Sequence, residues 1–275
     1  MSLTPETLTI GALVPYTIAA LLYGAMWLTS SRTLRLSASI MLGAGLSVNL
    51  LQLVMRAIEA NQPPFKTLFE SLVLLAACIA IVYLFVELVY RARILGLPAA
   101  AGCALTMLYA LLRQDKEAVN LPPALQSGWF IPHVVVYFFG YAALFVAFCA
   151  SFVYLLRPKP IHLRRPDLIA GEHINLESLL DGAVRFGFAL LTTGLLMGAV
   201  WAKSAWGDYW VWDPKETWSL VTWLLFAAYL HLYYLGGWRG RRLAVLVLVG
   251  FSAVMFTYLG MHLLPTAEQS AHVYQ

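Results

Sequence analysis

The chain has 275 residues, of which 61% are hydrophobic and only 12% charged, with a formal net charge of +4. A soluble domain carries about twice that charged share, so the composition excludes one and reads as an integral membrane protein. The small positive excess gives no argument for nucleic acid, because basic loops are what orient a polytopic chain. Cys78, Cys103 and Cys149 lie singly in apolar runs without a CxxC pair, which indicates neither a dithiol redox site nor a cysteine metal site.

Apolar runs long enough to cross a bilayer, about 20 residues each, fall at 9–29, 36–58, 70–90, 94–113, 130–156, 181–202, 217–236 and 241–263. The first reads as a span and not as a signal peptide, because Glu6 precedes it and no basic n-region exists. No linker, low-complexity tract or internal repeat divides the chain. The expectation is an all-α integral membrane protein of about eight transmembrane helices, with residues 1–275 as a single polytopic membrane domain.

The connections set an orientation. The first, third, fifth and seventh carry Arg32, Arg35, Arg91, Arg93, Arg157, Lys159, Arg164, Arg165, Arg239, Arg241 and Arg242. The other side has only Lys66, Arg113, Lys116, Lys203 and Lys215 outside the spans. The positive-inside rule then places both termini, and the connection between spans six and seven, on the extracytoplasmic side of a plasma (inner) membrane.

That connection holds "WGDYWVWDPKETW" at 206–218. Gly207 and Pro214 oppose a continuous helix, and Asp213, Pro214 and Glu216 form a helix-start signature. The structural reading of Asp213 and Glu216 is therefore capping. Trp27, Trp129 and Trp238 are scattered near span ends, as an interfacial belt would be. Trp201, Trp206, Trp210, Trp212, Trp218 and Trp223 are concentrated in one connection and its flanks. A platform for a large planar apolar ligand fits them as well as a belt does.

Histidines narrow the choice of ligand. His231 lies within span seven in "FAAYLHLYY", where an ionisable residue marks a site or a helix–helix hydrogen bond. His133 opens span five, level with the Trp-rich connection, and His262 and His272 lie at and beyond the outer end of span eight. Neutral imidazoles on both sides of one aromatic surface are what an axially ligated haem needs. His162 and His173 fall in the basic fifth connection and read as solvated. Asn49, Gln52 and Arg56 share one face of span two. Arg56 either pairs with Glu59 or Glu70 or meets an acidic group such as a haem propionate, with Lys203 and Lys215 as rivals for that role.

The stretch "WAKSAWGDYWVWDPKETWSLVTWLLFAAYLH", from Trp201 to His231, resembles the tryptophan-rich (WWD) signature of the CcsA/ResC family, the membrane subunit of the system II cytochrome c synthase. Weaker echoes are "FESL" at 69–72, "HVVVYFFGYAALFVAF" from His133 and "FTYLGMHLLP" at 256–265. The resemblance implies a haem-handling segment at 201–218, with haem b as the transported substrate; Trp206, Trp210, Trp212, Asp213 and Trp218 within it, and Arg56 from span two, are the candidate contacts. It implies an outer haem iron held by His133 and His272, and an intramembrane haem iron held by His231. It also implies a CcsB/ResB-like partner, an apocytochrome c CxxCH segment as substrate, and a separate thiol reductant. The reaction implied is thioether formation between haem vinyls and the CxxCH thiols. The family's tail resembles "GLHSY", whereas this one reads "SAHVYQ" after an extra histidine, so His262 rivals His272.

Three other readings compete. A CcmC-like protein delivers haem to a chaperone without ligation, but that branch departs from "PKETW". A proton-conducting transporter needs acids paired deep in several spans, and only Glu87 offers one, with Arg91 one turn on. A scaffold leaves the clustered tryptophans and histidines unexplained.

Overall fold

Short polar residues just ahead of apolar runs cap the starts of three helices among the described residues. Thr4 caps α1 (Pro5–Leu28) by accepting from the Thr7 amide, with Pro5 in the first turn. Thr67 caps α3 (Leu68–Tyr90) in a reciprocal box with Glu70. The next two amides, of Leu68 and Phe69, donate to Asp115 Oδ2 at 3.0 and 3.3 Å, so the helix start has no orphan donors there. In the computed structural model the other helices are α2 (Arg32–Ala60), α4 (Gly96–Leu112), α5 (Phe130–Leu156), α6 (Leu176–Trp206), α7 (Pro214–Tyr234) and α8 (Arg241–Leu259). Strand β1 (His162–Arg164) pairs antiparallel with β2 (His173–Asn175) in a short ribbon. The structure describes residues 4–29, 32–116, 123–156, 162–164 and 173–260.

Each of the eight apolar runs falls on one helix, in order. Among the described residues, seven helices are long and apolar enough to cross a membrane by length and composition. The eighth, α7, falls short because Trp218, Trp223, Thr222, Tyr229, Tyr233 and His231 take positions that aliphatic side chains hold elsewhere. Helix α6 outruns its apolar core at both ends, since Glu177 and Asp181 at the start and Lys203 at the end suit a helix as well as a loop.

The backbone divides into two compact units, Met1–Asn120 with Ile161–Asn175, and Leu121–Pro160 with Leu176–Gln275. In the first, α1 packs on α2 and α4, and α3 packs on the same two helices. The polar face of α2 lies inside this packing. Asn49 meets the Tyr16 hydroxyl at 3.2 Å, and Gln52 Nε2 donates to Thr9 Oγ1 at 2.8 Å. Arg56 is 4% exposed and pairs with Glu70 through Nη2 at 2.9 Å and Nε at 3.2 Å. Its Nη1 donates to the Lys116 carbonyl at 2.7 Å. Of the two acids offered to Arg56 by the sequence, Glu70 is the partner.

Glu87 corrects a sequence expectation. Its carboxylate pairs with Arg93 Nε at 3.2 Å, not with Arg91, and also accepts from the Tyr23 and Ser39 hydroxyls. Arg91 ends α3 in the left-handed region, φ 53°, so the helical spacing that would carry its side chain back to Glu87 is broken there.

In the second unit α5 packs on α6 and α8, and α7 packs on both of those. Helices α5 and α6 run antiparallel with glycines at the contact. A Cβ at Gly140 would meet Leu190 at 3.3 Å, and one at Gly187 would meet Leu144 at 2.7 Å. Small residues let the two backbones approach in a setting where lipid offers no hydrophobic drive between helices. The three cysteines are buried and form no disulfide among the described residues. The buried acids among the described residues, Glu70, Glu87, Asp181, Asp213 and Glu216, all lie within the first or last two turns of a helix or at its cap. That placement offers no intramembrane carboxylate relay of the kind the transporter reading needs.

Candidate functional site

Residues 207–213 connect α6 to α7 and are tied at both ends. Gly207 leaves α6 with φ 91°, and its carbonyl accepts from Lys203 Nζ. Lys203 also stands 5.5 Å from the Tyr209 ring centre. At the far end Asp213 caps α7, its Oδ1 accepting from the Lys215 amide at 2.8 Å. Glu216 Oε2 reaches back to the amides of Asp213 at 3.2 Å and Val211 at 2.9 Å. Trp212 sits between those two amides with φ 59°, a conformation costly for a bulky side chain and held here by the carboxylate behind it. Glu216→Ala removes the acceptor of both amides. It should lower stability by about 1–2 kcal/mol, the range of a lost cap, and loosen the loop so that proteolysis between 207 and 213 accelerates. Unchanged cleavage would show that the loop keeps its shape without this carboxylate.

The tethered loop turns large side chains outward. Trp212 is 68% exposed, and Tyr209 and Val211 are exposed beside it. Trp210 meets Trp212 edge-on at 5.8 Å, and its indole Nε1–H is buried with no hydrogen-bond partner among the described residues. Trp206 meets Trp201 at 4.7 Å, and Trp201 stacks on His133 at 5.9 Å with 19° between the planes. Phe130 adds a further ring 5.4 Å from Trp201. Trp218 instead packs into the unit, 4.4 Å from Phe256 of α8. Ring contacts thus join Trp201 with Trp206 and Trp210 with Trp212 as two pairs, while Trp218 serves the packing against α8.

His133 is held there by α6. Its Nδ1 lies 2.7 Å from the Gly194 carbonyl oxygen. A carbonyl only accepts, so Nδ1 carries the proton, and Nε2 is the lone-pair nitrogen whenever the ring is neutral. A hydrogen bond from one imidazole nitrogen is the usual device for fixing which nitrogen binds a metal.

The remaining sequence candidates divide three ways. His231 is exposed and lies in the last turn of α7, not in the middle of a span, because α7 ends at Tyr234. Roughly 25 Å of helix rise separates it from Asp213, so it lies at the end of α7 away from the Trp-rich loop. The alternative, a helix–helix hydrogen bond, is not made by the His231 side chain among the described residues. Asp213 and Arg56 are both buried and engaged, the first as a cap and the second with Glu70. His262 and His272 lie outside the described residues.

Tyr137, Gly194 and Gly198 were not among the sequence candidates. The signal for them was the spacing "GLLMG" at 194–198, two glycines four apart on a membrane span. Their relation to His133 becomes visible only when α5 and α6 are placed side by side.

The sequence profile of the cytochrome C assembly protein family matches residues 65–267. The chain belongs to this family. It is 37% identical over 256 residues to a cytochrome c biogenesis protein CcsA of Synechococcus elongatus, covering 76% of this chain and 79% of that one. To the CcsA of Chlamydomonas reinhardtii it is 40% identical over 235 residues, covering 82% of this chain and 65% of that one. Among solved structures, the cytochrome c haem lyase CcmF shares the fold, with a TM-score of 0.66 at 17% identity over 94% of this chain. The chain spans about half of that structure's length, 47%. The matched span of this family member takes in His133, the Trp-rich loop and His231.

Proposed function

We propose that this protein holds haem b at the loop end of α5–α8 and presents it for covalent attachment to apocytochrome c. The observation that carries the reading is His133. In a member of the cytochrome c assembly family, a half-buried imidazole has its Nδ1–H anchored and Trp201 against its face, at the foot of an outward-turned tryptophan loop. His133 Nε2 is one axial ligand of the haem iron. His272 is the other, with His262 as rival. Trp206, Trp210 and Trp212 contact the macrocycle. Trp210 Nε1–H offers a donor to a propionate or carbonyl, with Lys203 and Lys215 as the nearest loop cations. Asp213 acts by shaping the loop.

Two ligands on the iron hinder oxygen, and the loop leaves the vinyl edge for the CxxCH segment. Each cysteine S–H adds across one vinyl double bond: sulfur bonds to one carbon, the proton goes to the other, and nothing leaves. The substrate histidine then displaces an axial ligand. The chain's role is positioning more than acid–base chemistry. Thiols must be reduced, and the chain's own cysteines are buried and single, which supports a separate reductant. His231 marks an earlier haem position completed by a histidine of a CcsB/ResB-like partner. The whole acts as one domain in the plasma (inner) membrane, with the loop and both termini extracytoplasmic.

Purification with the partner should yield a Soret band and split low-spin features on reduction, and deletion of the chain should abolish haem-stained cytochrome c. Asp208→Cys should react with a membrane-impermeant thiol reagent in spheroplasts. A haem-free spectrum with cytochrome c still formed in the deletion strain would sink the proposal. Labelling only after permeabilisation would reverse the orientation.

A further inference from the structure

Gly194 and Gly198 stand one turn apart in the second half of α6, opposite His133 and Tyr137, which are one turn apart on α5. Glycine within a helix costs about 1 kcal/mol relative to alanine, so two at this spacing need a reason. The geometry supplies one. A Cβ at Gly198 would lie 2.7 Å from His133 Cε1 and 2.9 Å from Nδ1, too close for any real contact. A Cβ at Gly194 would run into the Tyr137 ring. Both rings therefore occupy the space of missing side chains. In a helix the side chain at one position lies over the carbonyl four residues earlier. Glycine at 198 thus uncovers the Gly194 carbonyl, the acceptor of the His133 Nδ1–H. Tyr137, 5.1 Å from the imidazole, and Trp201, stacked on it, close the other sides.

We propose that Gly194 and Gly198 form a seat for the His133 ring that fixes its tautomer and plane, so that Nε2 alone is presented to the haem iron. They are positioning residues. The proposal rests on His133 being an axial ligand. The seat has two separable parts: room, supplied by the bare α-carbon of Gly198, and a hydrogen-bond acceptor, supplied by the Gly194 carbonyl.

Two measurements on the protein purified with its partner test these parts. Gly198→Ala should turn the outer haem from six-coordinate low-spin into a high-spin mixture and lower its retention roughly 10- to 100-fold, as loss of an outer-shell partner does. Gly187→Ala, which meets Leu144 at 2.7 Å on the same helix contact, should lower thermal stability yet keep the low-spin spectrum. Gly182→Ala, with nothing within 4 Å of the added carbon, should change neither. The second measurement does not depend on Gly198→Ala folding. In His133→Gly, imidazole can both bind iron and donate to the Gly194 carbonyl, whereas 1-methylimidazole can only bind iron. Imidazole should restore the low-spin spectrum at roughly 2- to 10-fold lower concentration, the span of one net hydrogen bond. A low-spin Gly198→Ala, or equal rescue by the two imidazoles, overturns the seat. An unaltered outer spectrum in His133→Gly instead overturns the ligand assignment beneath it.

Discussion

His133→Ala should abolish haem-stained cytochrome c and the low-spin spectrum of the outer haem, and millimolar imidazole should restore part of both. Loss of a residue that merely orients a ligand costs roughly 10–100-fold in metal affinity, and loss of the ligand itself should exceed that. The effect is confined to function. His133 is half-buried and sits at the first turn of α5, where Phe130, Trp201 and Tyr137 keep their own packing. The variant should therefore accumulate and unfold close to the parent temperature, which separates a missing ligand from a misfolded chain. Normal cytochrome c formation without imidazole would remove His133 from the site. His231→Ala, at the other end of α7, should lower the amount of outer haem while leaving its low-spin character, which separates supply of haem from its outer ligation.

The largest stability effect should come from Glu70→Ala. Arg56 and Glu70 have side chains only 5% exposed, and their charges meet at 2.9 Å between α2 and α3. Removing the carboxylate leaves a guanidinium buried with only the Lys116 carbonyl and the face of Phe69, 5.4 Å from its centre. Breaking a buried pair from one side costs about 3–5 kcal/mol. Glu70 also accepts from the Lys66 and Thr67 amides, so the start of α3 frays as well. A fall in unfolding temperature on the order of 10 °C follows for a chain of this size. The double variant Arg56→Met/Glu70→Met should recover much of it, because no charge is then left unpaired. A single variant that melts with the parent would mean that water or lipid headgroups reach Arg56. Loss of outer haem in the stable double variant, with no loss of stability, would return Arg56 to the haem-binding set.

Polar residues on the spans show how far a linear reading goes. Periodicity placed Asn49, Gln52 and Arg56 on one face of α2, because helical spacing alone decides that. It left the partner of Arg56 open between Glu59 and Glu70, since one lies on the same helix and the other on a neighbour. Glu87 was assigned Arg91 by the one-turn rule, and the rule failed because α3 ends at that residue in a left-handed turn. The apolar run extends past His231, which on sequence alone puts it inside span seven. The helix stops at Tyr234, where Leu235, Gly236 and Gly237 turn the chain.

Composition and periodicity by themselves determined the class, the order of the helices and the cap at Asp213. These depend on residues within a turn or two of one another, or on the average cost of placing charge in lipid. The tryptophan signature determined the family for the same reason, being contiguous. Tertiary structure alone decided that His133 is seated in α6, with its Nδ1–H on the Gly194 carbonyl and its ring over the bare backbone of Gly198. His133 and Gly194 are 61 residues apart, and their meeting depends on the register of two antiparallel helices. That register is set by the sum of small fits, Gly140 against Leu190 and Gly187 against Leu144 among them, which no single stretch of the chain contains.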